Sequence, residues 1–156
     1  MERLLPSLAL TSLLAAAGCS GEPANDDARS DPANPTEIGD LDTLVGTVWE
    51  WVVTVTPVER IEVADPTRYT LRFLPDGRVE TRFDCNRGGG SYETSEYRLS
   101  FGPMMTTRMA CPEDSQDALF MQQLERISTY FTRDGDLYLE MPYDSGTMHF
   151  RPGDPN

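Results

Sequence analysis

The chain has 156 residues, with 26 acidic and 13 basic side chains, one His and three Cys, and a formal charge of −13. Every basic residue is Arg, and a pI near 4.3 leaves no surplus of cations to displace counterions from nucleic-acid phosphates, which argues against DNA or RNA as a partner. One His and three Cys fall short of a four-ligand structural zinc site without carboxylate help, and the length permits one domain with a modest core.

The first segment reads as an address. Arg3 supplies a positive charge and Leu4 to Ala17 is mostly apolar, too short for a hydrocarbon layer that needs about 20 helical residues. It matches the apolar region of a secretory signal peptide. Leu14-Ala15-Ala16-Ala17-Gly18-Cys19-Ser20 resembles a bacterial lipobox, with Ala16 at the place where Leu is usual. The resemblance implies that residues 1–18 are removed, that Cys19 is acylated, and that the protein is held to a membrane through it; more than one acyl chain gives a stable anchor. Ser20 rather than Asp after Cys19 implies outer-membrane sorting, facing the periplasm. The alternative is an ordinary signal peptide that leaves Cys19 free.

Residues 19–40 follow as an acidic tether. Between Ser20 and Gly46 there are seven acids and Arg29 as the one base, and low hydrophobicity with like-charge repulsion predicts a disordered, extended spacer. The run from Ile38 to Gly46 has enough apolar residues to dock onto the domain, which is expected to span residues 41–151 with a short tail at 152–156.

Within the domain, Thr47 to Thr56 alternates, with Trp49, Trp51, Val53 and Val55 on one face, and predicts a strand. Tyr69, Leu71 and Phe73, the Pro75-Asp76-Gly77 turn, then Val79, Thr81, Phe83 and Cys85 predict a hairpin with one wet face carrying Arg68, Arg72, Arg78, Glu80, Arg82 and Asp84. Strands are expected at Tyr97–Phe101 and Met104–Ala110. From Pro112 the pattern changes: Phe120, Leu124 and Ile127 share a helical face, and Glu113, Asp114 and Asp117 suit a first turn. This predicts one amphipathic helix of about four turns. Strands around Leu137–Met141 and Met148–Phe150 close the chain. The sum is an α+β domain: a strongly curved antiparallel sheet or partial barrel of seven or eight strands packed on one helix.

With Cys19 assigned to lipid, Cys85 and Cys111 remain, and in an oxidising compartment a bridge between them is the default. Closing a loop of about 26 residues contributes roughly 3.5 kcal/mol in the chain-entropy account. The alternative is a reactive or metal-binding thiol pair, against which stand the lack of Cys-x-x-Cys and of a neighbouring His. Gly88-Gly89-Gly90 lacks the rest of a phosphate loop and predicts a tight turn with positive φ. Arg108 is expected to pair with an acid near the helix start.

Asp84-Cys85-Asn86-Arg87-Gly88-Gly89-Gly90-Ser91-Tyr92 resembles the first signature of the META domain, also called HslJ-like, family, and Thr106-Thr107-Arg108-Met109-Ala110-Cys111-Pro112 resembles its second. Asp84 stands where the family usually has Gly. The resemblance covers roughly Leu41 to Phe150 and implies a small curved sheet packed on a helix. It gives structural roles to Asn86, Gly90, Tyr92, Thr107, Arg108, Met109 and Pro112, and a loose association with heat shock, antibiotic tolerance and secretion.

No catalytic constellation emerges from the residues. His149, the one possible base of a nucleophile triad, lies between Met148 and Phe150 and is expected to point away from their face. No GxSxG or SxxK pattern occurs. The expectation is a non-enzymatic, monomeric, lipid-anchored envelope protein without cofactor or metal, which supports stress or antibiotic tolerance by binding an unknown envelope protein or apolar ligand. Two alternatives are a pilot-type module with an apolar cleft drawing on Trp49, Trp51, Met104, Met105, Met109 and Met121, and an inhibitor of a secreted basic enzyme.

Overall fold

The computed structural model describes residues 41–154; the signal segment, Cys19 and the tether lie outside the described residues. Ten strands form one sheet: β1 (Val48–Val55), β2 (Arg60–Glu62), β3 (Tyr69–Phe73), β4 (Arg78–Phe83), β5 (Asn86–Ser95), β6 (Arg98–Phe101), β7 (Met105–Thr106), β8 (Thr129–Arg133), β9 (Asp136–Glu140) and β10 (Thr147–Pro152). The path β1-β3-β4-β5-β6-β8-β9-β10 returns to β1, which closes an eight-stranded antiparallel barrel. β2 adds to the second half of β1, and β7 runs along β5 beyond the reach of β6.

The alternation of β1 breaks in its middle. Trp51 pairs with Phe150 but Val53 pairs with His149, so Val52 is the extra residue of a bulge. Thr54, opposite Met148, therefore turns inward and is fully buried, while Val55 is exposed, the reverse of the strict alternation the sequence predicts. The inward hydroxyl is not orphaned: Trp51 Nε1–H donates to Thr54 Oγ1 at 3.0 Å, and Thr54 Oγ1–H donates to Gln123 Oε1 at 2.7 Å.

Both ends of the barrel are filled. At one end the short helix α1 (Leu41–Leu44) buries Leu44, whose carbonyl accepts the Trp49 Nε1–H at 3.1 Å, and Val45 bridges Phe73. This is the docking expected of the run before Gly46. At the other end α2 (Asp117–Leu124) inserts Phe120 among Trp51, Tyr69, Phe83 and Phe150, with ring centroids 5.0 to 6.1 Å apart. Each such aromatic pair adds about 0.5–1.5 kcal/mol to simple burial.

α2 has eight residues and not the four turns predicted. Residues 112–116 are held in a turn instead: Ser115 N–H donates to Pro112 O, Asp114 pairs with Arg68, and Gln116 N–H donates to the Tyr69 hydroxyl at 2.7 Å. Ile127 stays buried after the helix has ended. The predicted strand at Met104–Ala110 shrinks to Met105–Thr106.

Phe120→Ala leaves a cavity among its four aromatic neighbours and is expected to cost about 3–5 kcal/mol. Urea unfolding of the variant measures it; a loss under about 1 kcal/mol would mean that Phe120 does not seal the barrel.

Candidate functional site

The cysteine turn and the segment before α2 meet at one end of the barrel. β4 and β5 are joined by a two-residue loop, Asp84–Cys85, with Phe83 opposite Asn86. Asp84 has φ 59°, a left-handed conformation that Gly takes freely and Asp tolerates better than most residues. Asp at this position thus suits the backbone and adds a charge. The Asp84 carboxylate is buried and receives Arg68 Nε–H at 2.6 Å and Nη2–H at 2.7 Å. Those hydrogen bonds, with a further one from Ser115, hold its carboxyl below the usual carboxylate range against the opposing effect of burial.

Cys85 is bridged to Cys111, with Cα atoms 5.5 Å apart. The residues just before Cys111, 106–110, form a strap laid along β5. Asn86 fastens it: its Oδ1 accepts from Met109 N–H at 2.7 Å and from Thr107 Oγ1 at 2.9 Å, and its Nδ2–H donates to Met109 O at 3.1 Å. The same amide nitrogen lies 3.2 Å from Cys111 Sγ. Thr107 N–H donates to Arg87 O, and Arg87 N–H donates to Thr107 Oγ1.

Gly88, Gly89 and Gly90 are not a turn. They lie inside β5, and none has the positive φ that the sequence suggested. Their common need is space: a Cβ on Gly90 would sit 2.8 Å from Pro103 O, one on Gly89 2.5 Å from Val79 O, and one on Gly88 would meet Met105 O. Tyr92 closes the first signature at the other end of the barrel, where its hydroxyl donates to Leu74 O at 2.8 Å and its ring stands edge-on to Phe73. Pro112 opens the turn that precedes α2.

Between the strap and α2 runs an open groove of about 490 Å³. Phe83, Ala110, Ala118, Met109 and Met121 give it apolar lining, and Asn86, Thr107, Arg108 and Asp117 add polar groups. Of the residues the sequence offered for an apolar cleft, Met109 and Met121 are here. Trp49 and Trp51 are fully enclosed core, Met104 packs against it, and Met105 is exposed elsewhere. Arg108 is exposed and forms no ion pair among the described residues; the acid near the helix, Asp114, is taken by Arg68.

His149 lies on the outer face of β10, as its place between Met148 and Phe150 suggests. Its Nε2 is 2.6 Å from Asp136 Oδ2 and its ring stacks on Tyr138. Among the described residues no hydroxyl or thiol is hydrogen-bonded to it, and no group of three His, Cys, Asp or Glu side chains is placed to hold a metal ion.

The family model of the META domain matches residues 42–153, and the chain belongs to the META domain family. Two solved structures share the fold. An NMR structure of a protein from Burkholderia xenovorans is 21% identical, with a TM-score of 0.62, over 86% of this chain and 99% of that one. A crystal structure of a DUF4847 family protein from Bacteroides vulgatus is 14% identical, with a TM-score of 0.56, over 74% of this chain and 100% of that one. No curated protein matches the chain.

Asn86→Ala removes the amide that holds the strap and strands the Met109 backbone groups; the expected loss is about 2–3 kcal/mol in urea unfolding, against under about 0.5 kcal/mol for exposed Met109→Ala. Equal effects would contradict the fastening role. For Asp84 the sign follows from its lowered pKa: the stabilisation is fully present above the unfolded value of about 3.9 and is lost as pH falls through the folded value. Unfolding free energy is therefore expected to drop more steeply from about pH 4 to about pH 2 in the natural chain than in Asp84→Asn; parallel curves would contradict the pairing.

Proposed function

We propose that this META domain protein is a non-catalytic, lipid-anchored binding protein of the bacterial cell envelope, sorted to the outer membrane and facing the periplasm, which supports tolerance of envelope stress or antibiotics by holding a partner. The observation that carries the reading is the groove between the strap and α2. It is of ligand size, it is lined by the second signature segment, and it brings Met109 and Met121 together at the surface. Met109 and Met121 supply an adaptable apolar contact of the kind used at binding surfaces. The apolar leader, the lipobox-like segment before Cys19 and the acidic stretch that follows it support the anchoring.

The lining suits an envelope protein or another ligand with an apolar portion. Acidity lends no support to a basic enzyme as the target, because the acids are spread over the tether and the domain and do not gather at the groove.

Deleting the gene is expected to sensitise cells to heat, detergent and antibiotic. The natural gene is expected to restore growth, and Cys19→Ser or Met121→Arg, which unfasten the anchor or block the groove, are expected to fail. Growth of the deletion strain unchanged under all three challenges would sink the reading, and full rescue by Met121→Arg would remove the groove from it. Mass spectrometry of the natural protein is expected to find acyl chains on Cys19, and an unmodified thiol there would remove the anchor.

A further inference from the structure

The strap has two edges and only one is used. β5 and β7 pair as Gly88 with Thr106 and Gly89 with Met105, which places Arg87 opposite Thr107, where the N–H to O bond of 3.0 Å forms. Two residues on, both backbone groups of Met109 are taken by the Asn86 amide. Successive residues of an extended strand aim their N–H and C=O groups at opposite sides. Thr107 and Met109 face β5, so Arg108 and Ala110 face away from it. Among the described residues nothing hydrogen-bonds to the backbone of Arg108 or Ala110, and both residues are exposed. Pro103 and Pro112 bracket the stretch, which keeps this open edge too short to seed a longer sheet.

We propose that the outer edge of the strap, Thr106 to Ala110, binds an extended, acid-bearing peptide segment of a partner protein by strand addition, with side chains of that segment entering the groove beside α2. This rests on the reading of the groove as a binding site and names what it takes. A polypeptide in extended form supplies the ladder of donors and acceptors that the Arg108 and Ala110 backbone lacks; an acyl chain supplies none. The acid follows from charge. Among the described residues Arg108 forms no ion pair, and the one acid that lines the groove, Asp117, is turned to its own helix, where Oδ1 accepts the Ala118 N–H at 2.8 Å. Every alternate residue of the added segment faces the same way, so the segment offers apolar side chains to Met109 and Met121 from one face.

The test is a displayed library of seven-residue peptides selected against the full chain with its disulfide intact, followed by titration of the selected peptides against four variants. Arg108→Pro and Ala110→Pro each delete one N–H that the fold does not use, so the unfolding midpoint is expected to hold while affinity falls on the order of tenfold. Arg108→Gln keeps the N–H and loses only the charge, for a loss of about threefold. Met121→Arg fills the groove and abolishes binding. Independently of any variant, bound peptide is expected to slow exchange of the Arg108 and Ala110 amides by at least about tenfold and to leave Thr107 and Met109 as they were. Peptides that bind both Pro variants like the natural chain, without protecting Arg108 or Ala110, overturn strand addition; if Met121→Arg still abolishes their binding, the groove survives as a site. No selected peptide at all, or peptides indifferent to Met121→Arg, overturns both.

Discussion

Asn86 carries on its side chain the hydrogen bonds that the β5 backbone gives up when it turns at Cys85. A primary amide has an acceptor and donors in one plane, the same pair a peptide unit presents, and here it meets the N–H and C=O of Met109 as a neighbouring strand would. The strap is thereby continued two residues past the end of its backbone pairing. The disulfide fixes the position of its far end at Cys111, but a single covalent link leaves rotation about itself; the amide sets which way the strap faces. With that direction set, one edge of the strap is consumed and the other is left open beside α2.

The remainder of the fold explains why the proposed binding is assigned to the outside. The barrel interior is filled from both ends, by Leu44 at one and Phe120 at the other, and the largest buried side chains are Trp49, Trp51, Tyr69, Tyr130, Phe73 and Phe83. An eight-stranded barrel has an interior just wide enough for side chains to fill or for one small ligand, and this one is filled with its own aromatics. Sequence features that look like ligand chemistry thus divide cleanly by position. Tryptophans build the core, the triple Gly lets β4 on one side and residues 103–106 on the other approach β5, and Met109 and Met121 line the groove.

Fold class was legible because most strands alternate over a single buried face: Tyr69, Leu71 and Phe73 against Thr70 and Arg72 admit no other period. The elements that were misread share a cause, which is that a tertiary contact outweighed a local pattern. In β1 the bulge at Val52 exchanges the two faces, and no local residue type announces it. In β5 three consecutive glycines lower strand propensity, and only the close approach of β4, of β7 and of Pro103 before it explains why they stand in a strand. After Pro112 a sequence suited to a helix is instead held in a turn by Arg68, by Tyr69 and by the disulfide, so α2 starts five residues late. Of the site itself, Cys85, Cys111 and Asn86 were visible as a motif, whereas the open edge was not. It depends on which neighbour each strap residue faces, and that is a property of register, which the sequence of the strap does not contain.

The strap has one fastened and one open edge, and amide hydrogen exchange of the free protein reads that alternation directly. Thr107 and Met109 amides, bonded to Arg87 and to Asn86, are expected to exchange slowly, and those of Arg108 and Ala110 fast, with adjacent residues differing by an order of magnitude or more. Four amides exchanging at one rate, slow or fast, would contradict it: uniform protection would mean that the outer edge is already covered, and uniform exposure would mean that Asn86 does not hold the strap.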